Sequence, residues 1–221
     1  MELNEKCAVF GIYGQGIDVA RLTFFGLYSL QHRGQESSGI AVSDGAELYC
    51  YKNNGLVAHV YDEVHIRALK GHISIGHNRY STSAGSGLHH AQPIMVAQNK
   101  VAVAHNGNLP SVVALLEFLK SVQRNTEGKS DSALIADAVG YYVEQGLSLS
   151  EAVEKVFPLM TGAFSLLFMD KDALVAVRDA YGIRPLCLGQ VNGAYVISSE
   201  TCALDAIGAT FMNDVAPGEL V

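Results

Sequence analysis

The chain has 221 residues, of which 49% are hydrophobic and 17% charged, and its formal net charge is -7. This size and composition favour one large globular domain that buries about 70% of its unfolded surface. The acidic balance argues against the clustered basic surface that nucleic-acid binding requires. No stretch approaches the ~18 apolar residues of a membrane span, and residues 1–6 lack the apolar core of a signal peptide. We therefore expect a cytosolic protein without a membrane or nucleic-acid partner.

The cysteines and histidines give no sign of a metal site. The four cysteines, at positions 7, 50, 187 and 202, show no metal-ligand spacing among themselves or with histidines. His89 and His90 are adjacent in sequence, and we interpret them as surface or loop residues. In a reducing cytosol the cysteines other than Cys7 are expected to be buried thiols.

The first predicted element is an apolar, glycine-punctuated strand that opens at Cys7 and reaches Gly14. If residues 1–6 were removed, Cys7 would carry both a thiol and a free α-amine, and the amine could serve as the general base for the sulfur. A thiol with a pKa of about 8.5 is only slightly ionised at neutral pH, so a neighbouring proton acceptor matters. The alternative is a small buried hydrophobic residue that begins the strand.

The chain then alternates between helical and strand-like patterns. Apolar spacing predicts a helix over residues 19–32, and Asp44-Gly45 predicts a hairpin turn. The predicted strands are 39–42, 47–51, 72–75, 94–97, 101–105, 163–169, 174–177, 186–188 and 194–197. Further helices are predicted over residues 111–124, 131–143 and 148–160, the last with a Ser148 and Glu151 capping box. The order predicts an α+β domain in which two largely antiparallel sheets are sandwiched by helices.

Two short polar motifs have ordinary structural explanations. His105-Asn106-Gly107 follows a strand and is typical of a turn. Ser130 and Asp131 stand at the start of a predicted helix, where either could be the N-cap.

The motifs gain a second interpretation when they are read together with three further segments. The set comprises residues 7–12, 30–36, 76–82, 105–109 and Ser130-Asp131-Ser132. In this order and spacing it resembles the glutaminase domain of class II glutamine amidotransferases, and the match covers nearly the whole chain. The resemblance implies an N-terminal-nucleophile hydrolase fold, a four-layer αββα sandwich, over residues 7–221. Residues 1–6 would be a propeptide.

The resemblance also implies roles for the residues of a catalytic centre. Cys7 matches the nucleophile that attacks the side-chain carbonyl of glutamine to form a thioester, which water then opens to glutamate, with release of ammonia. Asn106 and Gly107 match the oxyanion hole, which combines a side-chain amide donor with a backbone N–H.

Substrate recognition follows from the same match. Arg79 corresponds to the residue that binds the α-carboxylate, Asp131 to the one that receives the α-ammonium, and Thr82 could add a hydroxyl. Arg33 and Gly34 would lie beside the nucleophile, with the glycine permitting close backbone approach to the substrate; a helix C-terminal stop is the alternative.

Two later segments indicate which molecule accepts the ammonia. Residues 178–186 and 199–203 resemble the branch of the class that supplies ammonia to phosphoribosyl pyrophosphate, which makes phosphoribosylamine in the first committed step of purine synthesis. Within the first segment, Arg178, Asp179 and Arg184 are expected to pin a hairpin against the site. This branch implies a phosphoribosyltransferase domain or subunit as partner, which we do not find in residues 7–221, and a homo-oligomeric full enzyme. The missing part would imply Mg²⁺, whereas we expect no cofactor and no iron-sulfur cluster in this chain.

Some positions depart from the family pattern, and other functions stay open. Ala8 and Ala84 stand where glycine is usual, and Ala180 where proline is common, which bears on efficiency rather than on reaction type. One alternative is a non-catalytic regulatory module that keeps residues 1–6 and acts with a synthase partner. Another is a glutaminase that serves a sugar phosphate or aspartate.

Overall fold

The computed structural model describes residues 6–80 and 87–221. These residues form eleven strands: β1 (Ala8–Tyr13), β2 (Ser37–Ser43), β3 (Leu48–Asn54), β4 (Ile73–Arg79), β5 (Ile94–Val96), β6 (Val101–Ser111), β7 (Thr161–Met169), β8 (Leu174–Arg178), β9 (Cys187–Val191), β10 (Ala194–Ser198) and β11 (Thr210–Asp214). The α-helices of the described residues are α1 (Val19–Ser29), α2 (Val57–Val60), α3 (Glu63–Ala68), α4 (Val113–Ser121), α5 (Asp131–Glu144), α6 (Leu149–Val156) and α7 (Thr201–Ala206).

The strands form two antiparallel sheets. A seven-stranded sheet has the order β11-β9-β10-β1-β4-β2-β3, and a four-stranded sheet has the order β5-β6-β7-β8. The strand that follows Cys7 is central to the larger sheet, where it pairs with β4 on one side and β10 on the other. The start of β1 is therefore held by strands on both sides.

Three layers of apolar side chains hold the sheets and helices together. The middle layer joins the two sheets through residues such as Val9, Ile75 and Leu167. A second layer, which includes Leu27, packs α1, α2, α3 and α7 on the larger sheet, and a third, which includes Ile135, packs α4, α5 and α6 on the smaller one. The result is the predicted four-layer αββα sandwich, so the fold expectation is confirmed.

The secondary structure departs from the sequence pattern in a few places. The helix predicted over residues 19–32 ends at Ser29, because the Leu30 N–H is shared between the carbonyls of Gly26 and Leu27 and the chain tightens into a 3-10 turn over Gln31–Arg33. The helices α2, α3 and α7 and the strand β11 were not predicted.

The outcomes of the other local expectations differ. Ser148 and Glu151 form the predicted capping box. The two adjacent histidines lie in a 3-10 turn, Leu88–His90, in which no residue is buried. All four cysteines are free; Cys187 is buried as expected, whereas Cys50 and Cys202 are only partly covered, so the expectation of buried thiols is wrong for these two. In residues 6–80 and 87–221, no helix has both the length and the apolar character needed to cross a membrane.

Candidate active site

A cavity of about 580 Å³ opens where the ends of β4 and β6 meet the first turn of α5. Its walls include the side chains of Cys7, Arg79 and Asp131, together with Gly107. The structure thus brings together four of the predicted site residues, which are up to 124 positions apart in the sequence. Thr82 lies outside the described residues, and so does Ala84.

Cys7 is held at the entrance to β1 by its backbone. Its N–H donates to the Arg33 carbonyl (3.0 Å), and its carbonyl accepts from Arg33 Nε (2.7 Å). The Cys7 backbone has a φ of +64°, which is uncommon for a residue with a Cβ and costs about 1 kcal/mol or more. These two bonds hold the Cys7 backbone in this conformation.

The thiol of Cys7 lies in a mixed environment. Burial raises its pKa, while the Tyr80 N–H, 3.4 Å from Sγ, and the guanidinium groups of Arg79, Arg184 and Arg33 oppose that rise. Since burial dominates, the sulfur is a neutral thiol near pH 7. A nucleophilic role would therefore require a base close by.

Arg33 holds the backbone of Cys7, and neither Arg33 nor Gly34 lines the cavity. Arg33 is 1% exposed and is paired with Glu200. Gly34 is extended, with a φ of -160°, and a Cβ there would come within 2.7 Å of the Arg79 carbonyl carbon. The close approach made possible by this glycine is thus to the backbone of β4.

Arg79 is the last residue of β4 and lines the cavity, where its positive charge is paired with the Glu36 carboxylate. Its Nη1 donates to Glu36 Oε1 at 2.9 Å, and the two side chains are 10% and 11% exposed. The Glu36 N–H also donates to the Arg79 carbonyl (3.0 Å). A guanidinium held in this way still offers further N–H donors to a ligand carboxylate.

Asp131 is the first residue of α5, and the preceding residue is the cap. Ser130 accepts from the Ala133 N–H, so Ser130 is the N-cap. The Asp131 carboxylate accepts from the N–H groups of Leu109 (3.1 Å) and Ser132 (2.7 Å). Both structural and ligand-binding roles are therefore available at this helix start, on adjacent residues.

Asn106 and Gly107 lie inside β6, and the predicted turn at this motif is wrong. The two residues pair with Ser165 and Phe164 on β7, in a strand of 11 residues. A Cβ on Gly107 would approach the Ala163 carbonyl oxygen to 2.3 Å. The glycine is needed because β6 and β7 pack closely here, so an Asn-Gly pair that usually marks a turn continues the strand.

The Asn106 amide is fully buried and faces the peptide that precedes the thiol. With its amide oriented to satisfy its neighbours, Nδ2 donates to the Lys6 carbonyl oxygen (2.6 Å) and Oδ1 accepts from Arg33 Nη2 (3.2 Å). A hydrogen-bond donor thus points at a carbonyl oxygen directly beside Cys7.

Arg184 also lines the cavity, although the sequence indicated only a structural role. Its N–H donates to Asp179 Oδ2 (3.1 Å) and its carbonyl accepts from Arg178 Nε (2.7 Å). Arg178 and Asp179 hold the loop as predicted, and the loop carries a cationic side chain to the cavity.

Further polar residues to which the sequence analysis assigned no role in the site also line the cavity, among them Gln92, His105 and Ser132. Burial lowers the pKa of the His105 imidazole, and the negative charge of Asp131 opposes that effect. Strand alternation offers a sequence signal for His105, because it shares a face with Gly107. Gln92 lies in an irregular segment and has no such signal. Among the described residues, no group of three or more His, Cys, Asp or Glu side chains could hold a metal ion.

Comparison with known proteins relates this chain to a family. The family model described as a glutamine amidotransferase domain matches residues 77–206. Amidophosphoribosyltransferase of Mycobacterium tuberculosis H37Rv is 43% identical over 225 residues, which covers 99% of this chain and 43% of that protein. The enzyme of the same name from Synechococcus elongatus is 45% identical over 224 residues, or 99% and 45% of the two chains.

Solved structures give the same result. Glutamine phosphoribosylpyrophosphate amidotransferase from B. subtilis, complexed with ADP and GMP, superposes with a TM-score of 0.86 at 35% identity, over 97% of this chain and 46% of that one. A structure described as the allosteric regulatory enzyme of purine biosynthesis gives a TM-score of 0.88 at 36% identity, with the same coverage. The chain spans about half the length of the curated relatives it matches.

Proposed function

The chain belongs to the glutamine amidotransferase domain family, and on that premise we propose that it hydrolyses glutamine to glutamate and ammonia through a thioester on Cys7. The observation that carries the proposal is the cavity in which the Cys7 thiol, the Arg79 guanidinium and the Asp131 carboxylate meet. An amino acid substrate presents a carboxylate and an ammonium at one end and its amide at the other. The cavity offers an opposite charge for each head group and a nucleophile for the amide.

The base in this proposal is the α-amine of Cys7 after removal of residues 1–6. In the chain that keeps them, the Cys7 nitrogen is a peptide N–H that donates to the Arg33 carbonyl and cannot accept a proton. The Asn106 amide is also occupied by the Lys6 carbonyl. Removal of the six residues would free a base and an oxyanion donor at the same time.

The proposed reaction then follows from proton and charge movement. The free amine takes the thiol proton as Sγ attacks the side-chain carbonyl of glutamine, and the same proton passes to the leaving ammonia. The developing oxyanion is stabilised by Asn106 Nδ2 and the Gly107 N–H, a type of contact worth about 3 kcal/mol of the barrier per donor. Water then attacks the thioester carbonyl while the amine takes a proton from it, and the amine returns that proton to the departing Cys7 thiolate as glutamate is released.

We further propose that the ammonia is used to make 5-phosphoribosylamine in a larger enzyme. The curated relatives are named amidophosphoribosyltransferase and are about twice as long as this chain. The partner would be a phosphoribosyltransferase domain or subunit that binds phosphoribosyl pyrophosphate, in a homo-oligomer. No observation favours the non-catalytic module or a different acceptor.

The proposal is tested by intact mass and glutaminase activity measured on the same sample. Protein whose first residue is Cys7 should release ammonia from glutamine, whereas protein that keeps residues 1–6 should be nearly inactive because an acylated amine is not basic. A Cys7→Ala protein is the control for contaminating glutaminase. Full activity in protein that retains all six residues would refute the proposed base.

A further inference from the structure

Gln92 lies where three parts of the cavity wall meet. It precedes β5, is 8% exposed and contributes to the cavity lining. Its Oε1 accepts from the His105 backbone N–H of β6 (2.7 Å), and its Nε2 donates to Ser132 Oγ of α5 (3.3 Å). Each polar atom of the amide therefore has a protein partner, and the side chain ties the segment before β5 to a strand and a helix.

Ser132 carries this contact on to Asp131. Ser132 Oγ donates to Asp131 Oδ1 at 3.3 Å, and the Ser132 N–H donates to the same oxygen at 2.7 Å. With the hydroxyl proton directed to the carboxylate, Oγ accepts from Gln92 Nε2 and, in the His105 tautomer that is protonated on Nδ1, from His105 Nδ1, 2.8 Å away. The Gln92 amide thus helps to set the rotamer of the hydroxyl that supports the carboxylate.

The backbone around Gln92 is itself anchored. Lys52 Nζ donates to the carbonyls on both sides of this residue, those of Ala91 (2.7 Å) and Pro93 (2.9 Å). Gly39 leaves the space for this approach, because a Cβ there would lie 2.1 Å from the Gln92 carbonyl oxygen. An ammonium group from β3 and a glycine from β2 therefore fix the segment that presents Gln92.

We propose that Gln92 is a positioning residue for recognition of the substrate's α-ammonium, acting through Ser132 on Asp131. The inference rests on the proposed function, since it takes Asp131 as the ammonium ligand. Loss of the Gln92 amide frees the Ser132 hydroxyl to turn away from the carboxylate. Binding of the ammonium then weakens, while attack on the amide at the far end of the substrate proceeds as before.

The test compares L-glutamine with glutaramate, which is glutamine without its α-amino group. A Gln92→Met protein keeps the length of the side chain and loses both hydrogen bonds. We expect its KM for glutamine to rise about 10-fold, as for one lost hydrogen bond to a charged system, with kcat changed less than about twofold. Its kinetics with glutaramate should stay within about twofold of the unsubstituted protein.

A second variant and a matched control make the result interpretable. Ser132→Ala should give the same substrate-selective pattern. The KM of the double variant for glutamine should be no higher than that of the more impaired single variant, because both substitutions interrupt one chain of contacts. Thr23→Val removes another buried hydrogen bond, from Thr23 Oγ1 to Ser74 Oγ (2.9 Å), and should leave the preference for glutamine over glutaramate unchanged.

Three outcomes overturn the inference. Equal losses with both substrates in Gln92→Met, or in Ser132→Ala if the first variant does not fold, would mean a general structural role. An unsubstituted protein that starts at Cys7 and lacks glutaminase activity would defeat the proposed function, and this inference with it. If the unsubstituted protein is active but Gln92→Met leaves its preference for glutamine over glutaramate unchanged, the inference is wrong while the proposed function stands.

Discussion

Arg79 and Asp131 carry opposite charges into one cavity, and each is held by a different kind of support. Arg79 is steadied by a carboxylate, Glu36, 2.9 Å away. Asp131 is steadied by backbone N–H groups at the start of α5. Both arrangements restrict the side chain before any ligand binds, which lowers the ordering cost of binding.

Replacement of either residue by Ala should weaken recognition of glutamine. We expect a fall in kcat/KM that corresponds to a loss of roughly 2 to 4 kcal/mol of transition-state stabilisation, because one buried charge of the ligand loses its partner. The loss should appear mainly in KM. The matched controls are Arg67→Ala, at a side chain that is 74% exposed, and Asp172→Ala, at one that is 68% exposed. Unchanged kinetics with glutamine in Arg79→Ala would reassign that residue to structure.

Asn106 offers a sharper test of chemistry, since an oxyanion donor acts on the transition state. Asn106→Ala should lower kcat by about 100-fold or more, with little change in KM. Asn106→Asp should be at least as harmful, because a carboxylate repels the developing negative charge. The neighbouring Arg33 guanidinium, 3.2 Å from the amide oxygen, gives the new carboxylate a partner, so this variant is expected to fold.

The measurement is steady-state glutaminase kinetics on both variants, with folding checked by circular dichroism. Near-normal kcat in a folded Asn106→Asp protein would leave only the Gly107 N–H as an assigned donor. It would also remove the argument that the proposed thioester forms through an anionic intermediate held by Asn106.

At the scale of elements, the sequence predicts the longer helices and strands well, but it does not predict where two segments of backbone pack closely. The strand hairpins and the helices α4, α5 and α6 follow from apolar periodicity, and the Ser148 cap follows from local hydrogen-bonding chemistry. The helices α2 and α3 have four and six residues, too few for a helical period to be recognised. Every residue of β11 is exposed, so its sequence lacks the alternation that marks a strand.

The misread Asn106-Gly107 pair has the same origin. Asparagine and glycine favour turns when only their own backbone preferences decide. Here the Ala163 carbonyl lies so near that only glycine fits, and Asn106 is buried against residues from the beginning of the chain. Both facts depend on tertiary contacts, which a single sequence does not record. Motif resemblance nevertheless located Cys7, Arg79 and Asp131 around one cavity.

The loop after β8 depends on one buried carboxylate. Asp179 is 0% exposed and accepts from four backbone N–H groups. The donors belong to Phe164, Tyr181, Ile183 and Arg184. Since one of these donors is in β7 and the others are in the loop, the carboxylate joins the two.

Asp179→Asn should therefore destabilise the protein and disturb the cavity. The amide keeps one acceptor oxygen and turns an NH₂ group toward backbone donors, which should lower the free energy of unfolding by about 2 to 3 kcal/mol. Urea unfolding measures the change, with the exposed Asp44→Asn as control. A change below about 0.5 kcal/mol would show that the loop is held by other contacts.

At the scale of the whole molecule, two neutral histidines are enclosed between strands of the two sheets. His77 of β4 donates from Nε2 to the carbonyl of His105 of β6 (3.1 Å), so it bridges the sheets. Burial lowers the pKa of His77 to about 3. His105 is shifted in the same direction by burial. The His77 imidazole cannot be protonated at mildly acidic pH without disturbing the layer between the sheets.

The protein should therefore lose stability as the pH falls below about 6.5, the ordinary value for histidine. Between that value and about 3 for His77, the unfolded chain binds more protons than the folded one, so the free energy of unfolding decreases with decreasing pH. The slope of the free energy of unfolding is up to about 1.4 kcal/mol per pH unit for His77. His77→Gln keeps a donor for the His105 carbonyl and does not titrate, so its stability should decline less steeply between pH 6.5 and 5. Urea unfolding at several pH values measures this difference, and His59→Gln, at an exposed histidine, is the control. If the free energy of unfolding falls equally steeply with decreasing pH in His77→Gln and in the unsubstituted protein, other groups cause the acid sensitivity.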